Sequence, residues 1–196
     1  LIAVRKTTGR HTAEAIQELL EKVIEENCLT VTAIVTDSAA NVRKAVRQMG
    51  YRNPRCTNHQ LHIMVSRGLA AWKGGSSIKK VKEFARSLNT SANTRDMYFK
   101  ACDESNLRAI TVPNSVETRW GSELKMIKSA LQQMEAINVS CEEMNKRKVS
   151  VSEVHCLEQT ARVLGPFDRF TNELSREGNM ISESLFVLQG IKNHLE

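Results

Sequence analysis

The chain has 196 residues, of which 41% are hydrophobic and 5% are aromatic. This length is enough to bury a mostly aliphatic core, in one large domain or two small ones. No apolar run approaches the roughly 20 residues needed to span a bilayer, and nothing resembles a secretory leader, so we expect a soluble intracellular protein without a membrane partner.

The formal net charge of +6 comes from one part of the chain. Between Arg43 and Arg86 there are eleven Lys or Arg residues and a single acid, Glu83. In residues 1–42 and 87–196, by contrast, acids slightly outnumber bases. A cationic block of this kind predicts a polyanionic partner, most often nucleic acid, and the alternative is a solvated basic face without a partner.

The cysteines lie far apart in the sequence. Their odd number and the lack of short paired spacings argue against a disulfide framework and favour a reducing compartment. We expect most of them to be buried as small apolar side chains. They are Cys28, Cys56, Cys102, Cys141 and Cys156.

The first third of the sequence predicts a helix followed by a β–α unit. Thr12 is suited to cap a helix whose apolar face carries Ile16, Leu19, Leu20, Val23 and Ile24. Residues 31–36 are apolar and mostly β-branched, as expected for a short buried parallel strand, and Asp37 ends that strand. A second helix follows, and Gly50 closes it.

The remainder of the sequence predicts helices alone. After an extended segment at residues 53–56, apolar residues recur at helical spacing up to the C-terminus, with breaks at Gly74-Gly75 and Gly165-Pro166. The sequence therefore predicts an α/β fold, in which residues 1–75 form a partial core with few strands and residues 76–196 form a largely all-α segment.

Asp37 is the first candidate site residue. A carboxylate at the carboxyl end of a buried parallel strand faces the cleft in which a divalent cation can bridge it to phosphate oxygens. One aspartate cannot hold a two-metal site alone. The alternative is that Asp37 caps the helix that follows it.

Cys56 and His59 form a Cys-x-x-His element, and His62 follows three residues later. Such an element can be half of a zinc site, but no second ligand pair with zinc spacing is present in the sequence, so we expect no zinc in this fragment. The alternative roles are core packing for Cys56 and hydrogen bonding at a helix start for His59.

Arg119 and Trp120 come directly before a predicted helix. A guanidinium group and an indole at one cleft edge can hold the phosphate and the face of an unpaired base. The alternative is that Trp120 is a buried core residue, which is the usual role of tryptophan.

Four segments, in this order, resemble the hAT superfamily of DNA transposases and the domesticated BED-finger proteins derived from them. They are residues 11–16 (HTAEAI), 35–42 (VTDSAANV), 55–62 (RCTNHQLH) and 118–122 (TRWGS). The resemblance covers essentially the whole chain. It implies an RNase H-like core interrupted by a mostly α-helical insertion domain, which we expect to begin at about residues 121–150.

The resemblance also assigns roles to the candidate residues. Asp37 matches the second acid of the family's Asp, Asp, Glu triad, which makes it the expected catalytic residue and a ligand of Mg²⁺ or Mn²⁺ if the parent protein is active. Cys56 and His59 match an element beside the active site, and Arg119 and Trp120 match the element that stabilises a flipped base. The other two acids of the triad are expected upstream and downstream of this sequence.

The resemblance implies a nuclear protein that binds DNA and forms homo-oligomers through regions outside this sequence. An active parent would cleave DNA and transfer its strands. One alternative is a catalytically dead scaffold in transcription regulation, and another is an unrelated basic α/β domain that binds a different polyanion. The residues expected to contact DNA are Arg43, Lys44, Arg47, Arg52, Arg55, Cys56, His59, Arg119 and Trp120.

Overall fold

The structure is a computed structural model that describes residues 3–5, 9–72, 74–116, 120–176 and 183–195. The chain divides into two compact units, Leu1–Gln60 (unit 1) and Leu61–Glu196 (unit 2). None of the described helices is long and apolar enough to cross a membrane.

The described residues form nine helices. Their bounds are α1 Ala13–Glu26, α2 Ala40–Gln48, α3 Thr57–Ala71, α4 Gly75–Thr90, α5 Ala92–Glu104, α6 Trp120–Gln132, α7 Met134–Glu143, α8 Val151–Leu174 and α9 Glu183–Leu195. The helical period of the sequence from residue 57 onward is therefore confirmed.

Unit 1 is built on the packing of α1 against α2. The Thr12 hydroxyl accepts a hydrogen bond from the Ala15 N–H at 3.2 Å, so Thr12 caps α1 as predicted. Gly50 follows the C-terminus of α2 at φ +77°, the left-handed conformation that glycine adopts without strain. The Asn41 side-chain amide donates to the His11 carbonyl at 2.8 Å and ties the starts of the two helices together.

The predicted α/β fold is wrong for the part of the chain that the structure describes. This part is mostly helical and contains no strand; residues 31–36 make only two isolated parallel bridges, Ala33 with Arg52 and Thr36 with Arg55. Burial is also less than expected for a strand inside a sheet. Thr36 is the only buried residue in the segment, and Val35 is 44% exposed.

Pro54 explains why these two bridges do not join into a ladder. The Ile34 N–H donates to the Arg52 carbonyl at 2.9 Å, and a continuous parallel ladder would then return a bond from the N–H of residue 54 to the Ile34 carbonyl. Proline has no N–H to donate. The Asn53 side-chain amide takes its place and donates to the Ile34 carbonyl at 2.7 Å.

Unit 2 contains a large hydrophobic cluster formed mainly by α4 to α8. Tyr98 lies fully buried in it, and its hydroxyl donates to the Ile110 carbonyl at 2.7 Å. Burial raises the pKa of this hydroxyl far above its ordinary value, so Tyr98 stays neutral. Its ring meets Phe84 edge to face, with ring centroids 5.9 Å apart.

A second cluster in unit 2 joins α3, α6, α8 and α9. It includes Leu61, Val65, Trp120, Leu124, Leu164, Phe167, Val187 and Ile191. The break expected at Gly165-Pro166 is wrong, because α8 continues through Pro166 as a single helix of 24 residues. Leu164 and Phe167, on either side of Pro166, are both buried in this cluster. Their packing offsets the loss of the one backbone hydrogen bond that proline cannot make.

Candidate nucleic-acid interface

Asp37 lies at an exposed turn between the extended segment 31–36 and α2. Its Oδ1 atom accepts a hydrogen bond from the Ala39 N–H at 2.9 Å, and α2 begins at the next residue. This bond closes a turn ahead of the helix and does not cap it, because the N-cap residue of α2 is Ala39, which makes no side-chain capping bond. The alternative role of Asp37 as the cap of α2 is therefore not seen. Its exposed carboxylate has the oxygen chemistry that Mg²⁺ and Mn²⁺ prefer, and its metal role stays a prediction.

The start of α3 lies directly beside this turn. The Cys56 N–H donates to the Thr36 carbonyl at 2.8 Å, and the Gln60 side-chain amide donates to the Ser38 hydroxyl at 3.3 Å. These two bonds bracket Asp37 in sequence. Cys56 and His59, both half-buried, are therefore held close to the acidic turn in unit 1.

The residues present supply only part of a metal site. In the described ranges no group of three or more His, Cys, Asp or Glu side chains is close enough together to hold a metal ion. Asp37 alone offers one carboxylate, whereas a two-metal site needs several. Within the described residues, the donor set is therefore incomplete for a two-metal site.

Four arginines between residues 43 and 55 lack acidic partners within the described part of the chain. They are Arg43, Arg47, Arg52 and Arg55. All except Arg43 are exposed, and the Nε atom of Arg43 is buried without a hydrogen-bond partner. A guanidinium group without a carboxylate keeps its full charge available to an anion from solution.

Lys44 differs from these four arginines. Its ammonium group lies 2.8 Å from a Glu14 carboxylate oxygen. The hydrogen bond from Lys44 lowers the pKa of Glu14 to about 2. The charge of Lys44 is partly offset by this pair, so Lys44 is the weakest of the five predicted basic contacts.

The structure places Trp120 in the core. Its side chain is 5% exposed and packs in the second cluster of unit 2, against residues such as Leu124 and Phe167. Its predicted contact with a flipped base stays a prediction. Arg119, the other half of this element, lies outside the described residues.

The family described as "ZBED1 RNase-like helical domain" matches residues 54–163, which is more than half of the chain. The chain belongs to this family. The human "Zinc finger BED domain-containing protein 4" is 19% identical over 202 residues, which correspond to 100% of this chain and 17% of that protein. The chain thus spans about a sixth of its curated relative, and the resemblance to hAT-derived BED-type proteins is confirmed.

The match to the ZBED1 RNase-like helical domain begins at Pro54 and so divides the candidate residues. Cys56, His59 and Trp120 lie inside the matched range. Asp37 lies before it, together with the basic residues of α2. The family match therefore covers the start of α3 and most of unit 2. It does not cover Asp37, whose role can be judged only from the geometry of unit 1.

Unit 2 contains a cleft that was not predicted from the sequence. It has a volume of about 430 Å³, and its lining includes Trp72, Lys79, Lys82, Trp120 and Glu123. Helical spacing alone predicts that Trp72 shares the apolar face of α3, but its side chain is 47% exposed. The only sequence signal was its position two residues before the Gly74-Gly75 break, where α3 has already ended.

Proposed function

We propose that this chain is the DNA-binding central part of a hAT-transposase-derived nuclear protein. The observation that carries the proposal is the set of four arginines in unit 1, at positions 43, 47, 52 and 55, that have no acidic partner among the described residues. All four follow the acidic turn at Asp37 in the sequence. Membership of a hAT-derived BED-type family supports DNA as the polyanion.

Unpaired arginines favour phosphate binding over a purely solvated face. A surface that serves solubility usually mixes both charge signs, whereas this segment carries one sign alone. Residues 43–56 contain no acid at all. The guanidinium fork matches the geometry of phosphate oxygens, and each phosphate that it neutralises releases counterions.

Salt dependence of duplex binding tests this proposal. We expect the affinity of the chain for a random-sequence duplex to fall linearly on a log–log salt plot, with a slope of about −0.9 for each phosphate contacted. Replacing Arg47, Arg52 and Arg55 by Ala should reduce the magnitude of that slope by about 0.9 for each phosphate that is no longer neutralised. Fluorescence anisotropy at several salt concentrations measures both quantities.

Arg162→Ala is the matched control, because Arg162 is exposed on α8 and also lacks an acidic partner within the described residues. Its slope should equal that of the unchanged chain. A salt response that is flat, or that changes equally in the control and the triple variant, contradicts a DNA interface at these arginines.

Two activities of the parent protein are open under this proposal. In an active transposase, Asp37 would share Mg²⁺ or Mn²⁺ with two further acids, and the metal ions would activate water and then a 3′-hydroxyl for cleavage and strand transfer. In a domesticated scaffold, DNA binding alone would serve transcription regulation. The presence of only one such acid at the described turn favours neither outcome over the other.

The full-length protein distinguishes the two activities. Nicking of DNA that requires a divalent metal, and that is lost in Asp37→Asn while duplex binding remains, supports the transposase. Intact duplex binding without nicking in the unchanged protein supports the scaffold. Nuclear localisation, and homo-oligomerisation through regions outside this chain, belong to the same proposal.

A further inference from the structure

We propose that the cleft lined by Trp72, Lys79, Lys82 and Trp120 binds one unpaired nucleotide, with the Trp72 indole stacked on the base and the Lys79 ammonium group on the phosphate. The cleft lies wholly within unit 2. The proposal rests on DNA as the partner, but none of its residues belongs to the arginine set of unit 1.

Trp72 is the first support for this assignment. A tryptophan side chain that is 47% exposed leaves a large apolar ring surface in water. Its backbone is held on both sides, since its N–H donates to the Leu69 carbonyl at 3.2 Å and its carbonyl accepts from the Gly75 N–H at 3.2 Å. The backbone that carries the exposed ring is thus held by a hydrogen bond on each side.

Gly74 fixes the position of the indole. A Cβ atom at residue 74 would overlap the Trp72 Nε1 atom, so the indole rests directly against the glycine backbone. The φ angle of Gly74 is −78°, which any residue adopts without strain. The close approach of the indole is therefore the feature that requires glycine at this position.

The charge of the cleft comes from two lysines of α4. Lys79 is exposed and has no carboxylate within ion-pair distance in the described part of the chain. Lys82 lies one turn further along the same face and pairs with Glu123 at 3.1 Å. The Glu123 charge is thus already engaged, and the cleft keeps the positive charge of Lys79.

An aromatic plate beside such a cation fits a ligand that combines a flat ring with an anion. A nucleotide has this chemistry, because a base stacks on an indole and its phosphate pairs with an ammonium group. The base must be unpaired, since a base within a duplex presents no free face. A volume of about 430 Å³ lies within the range of small-ligand sites and is enough for one nucleotide.

Intrinsic fluorescence provides a direct test with an oligo-dT strand as the probe. The chain has two tryptophans, and Trp120 is 5% exposed, so stacking on Trp72 should quench mainly the exposed indole. We expect Trp72→Ala to remove the quenching and to weaken oligo-dT binding roughly 5- to 100-fold, with Trp72→Phe in between.

Two further variants separate position from charge. Gly74→Ala keeps the indole but displaces it, so it should weaken oligo-dT binding in the same direction as Trp72→Ala. Lys79→Ala should reduce the magnitude of the log–log salt slope for oligo-dT binding by about 0.7, because one phosphate is no longer neutralised. The matched control is Lys128→Ala, which removes an exposed lysine of α6 outside the cleft and should change nothing.

Different results identify which proposal fails. Normal duplex binding, together with oligo-dT binding that is unchanged in Trp72→Ala, overturns the nucleotide site and leaves the unit 1 interface standing. Loss of duplex binding in the unit 1 arginine variants alone, with oligo-dT binding intact, supports two separate sites. Saturable quenching of Trp72 by free dTMP as strong as that by oligo-dT assigns the site to a mononucleotide, whereas quenching by the strand alone assigns it to single-stranded DNA.

Discussion

Glu153 is the side chain whose charge contributes most clearly to the stability of unit 2. One of its carboxylate oxygens lies 2.6 Å from the Lys80 ammonium group and also accepts the Ser150 N–H at 2.8 Å in a capping box at the start of α8. These contacts, the Lys80 bond first, lower its pKa from 4.5 to about 2. Because the folded-state pKa lies below the ordinary value, the stabilisation is complete above pH 4.5 and is lost as the pH falls towards 2.

We therefore expect Glu153→Gln to lower the free energy of unfolding by about 1–3 kcal/mol at pH 7. Glutamine keeps the capping box, so the change removes the charge alone. The difference between the two proteins should shrink between pH 4.5 and pH 2, as urea unfolding at several pH values would show. Glu158→Gln, on the exposed face of the same helix, should have little effect. A difference that is constant with pH would contradict an ionic origin.

The candidate site could be predicted only in part at the scale of single residues. The family resemblance predicts that Cys56 and His59 lie close to Asp37. In the structure, two hydrogen bonds between the start of α3 and the residues on either side of Asp37 hold them there. The sequence could not predict which of Trp72 and Trp120 is buried and which is exposed. Both fall at helix ends with apolar neighbours, and only three-dimensional packing decides that one is buried and the other exposed.

At the scale of elements, the helices were predictable because their signals are local. Caps such as Thr12 and Gly50, and apolar residues at helical spacing, act within one or two turns. A strand depends on partners that are distant in sequence. Residues 31–36 have the composition of a strand, but the segment that pairs with them, residues 52–55, contains Pro54. The pairing is therefore limited to two isolated bridges.

Asn53 offers a test of this account of the interrupted ladder. Its side-chain amide donates to the Ile34 carbonyl at 2.7 Å and to the Thr36 hydroxyl at 2.9 Å. We expect Asn53→Ala to destabilise unit 1 by about 1–2 kcal/mol, because the Ile34 carbonyl loses its donor. Chemical denaturation followed by circular dichroism gives the difference.

Pro54→Ala supplies the rescue variant. It restores a backbone N–H that can donate to the Ile34 carbonyl, so the double variant should recover part of the stability lost in Asn53→Ala. Pro54→Ala alone should have a smaller effect, since Asn53 already satisfies that carbonyl. Strictly additive effects of the two substitutions would show that the amide does not replace the missing ladder bond.

At the scale of the whole molecule, apolar burial is distributed unevenly between the two units. Both hydrophobic clusters are composed of residues of unit 2. In unit 1, the described residues that are buried are Ala13, Thr36, Ala45 and Val46, and the predicted apolar face of α1 is only half-buried. Since burial of apolar surface is the main source of folding free energy, unit 1 has much less intrinsic stabilisation than unit 2.

Hydrogen exchange should therefore separate the two units. We expect backbone amides of α1 and α2 to exchange at least about tenfold faster than those of α4 to α8, because a difference of about 1.4 kcal/mol in opening free energy already gives that ratio. Mass spectrometry of peptides from each helix measures it at pH 7, and addition of a DNA duplex should slow exchange in α2 if its arginines contact phosphate. Equal protection of both units without DNA would mean that unit 1 is stabilised by more than the burial of its own side chains, and the dependence of its stability on Asn53 would then also be smaller than expected.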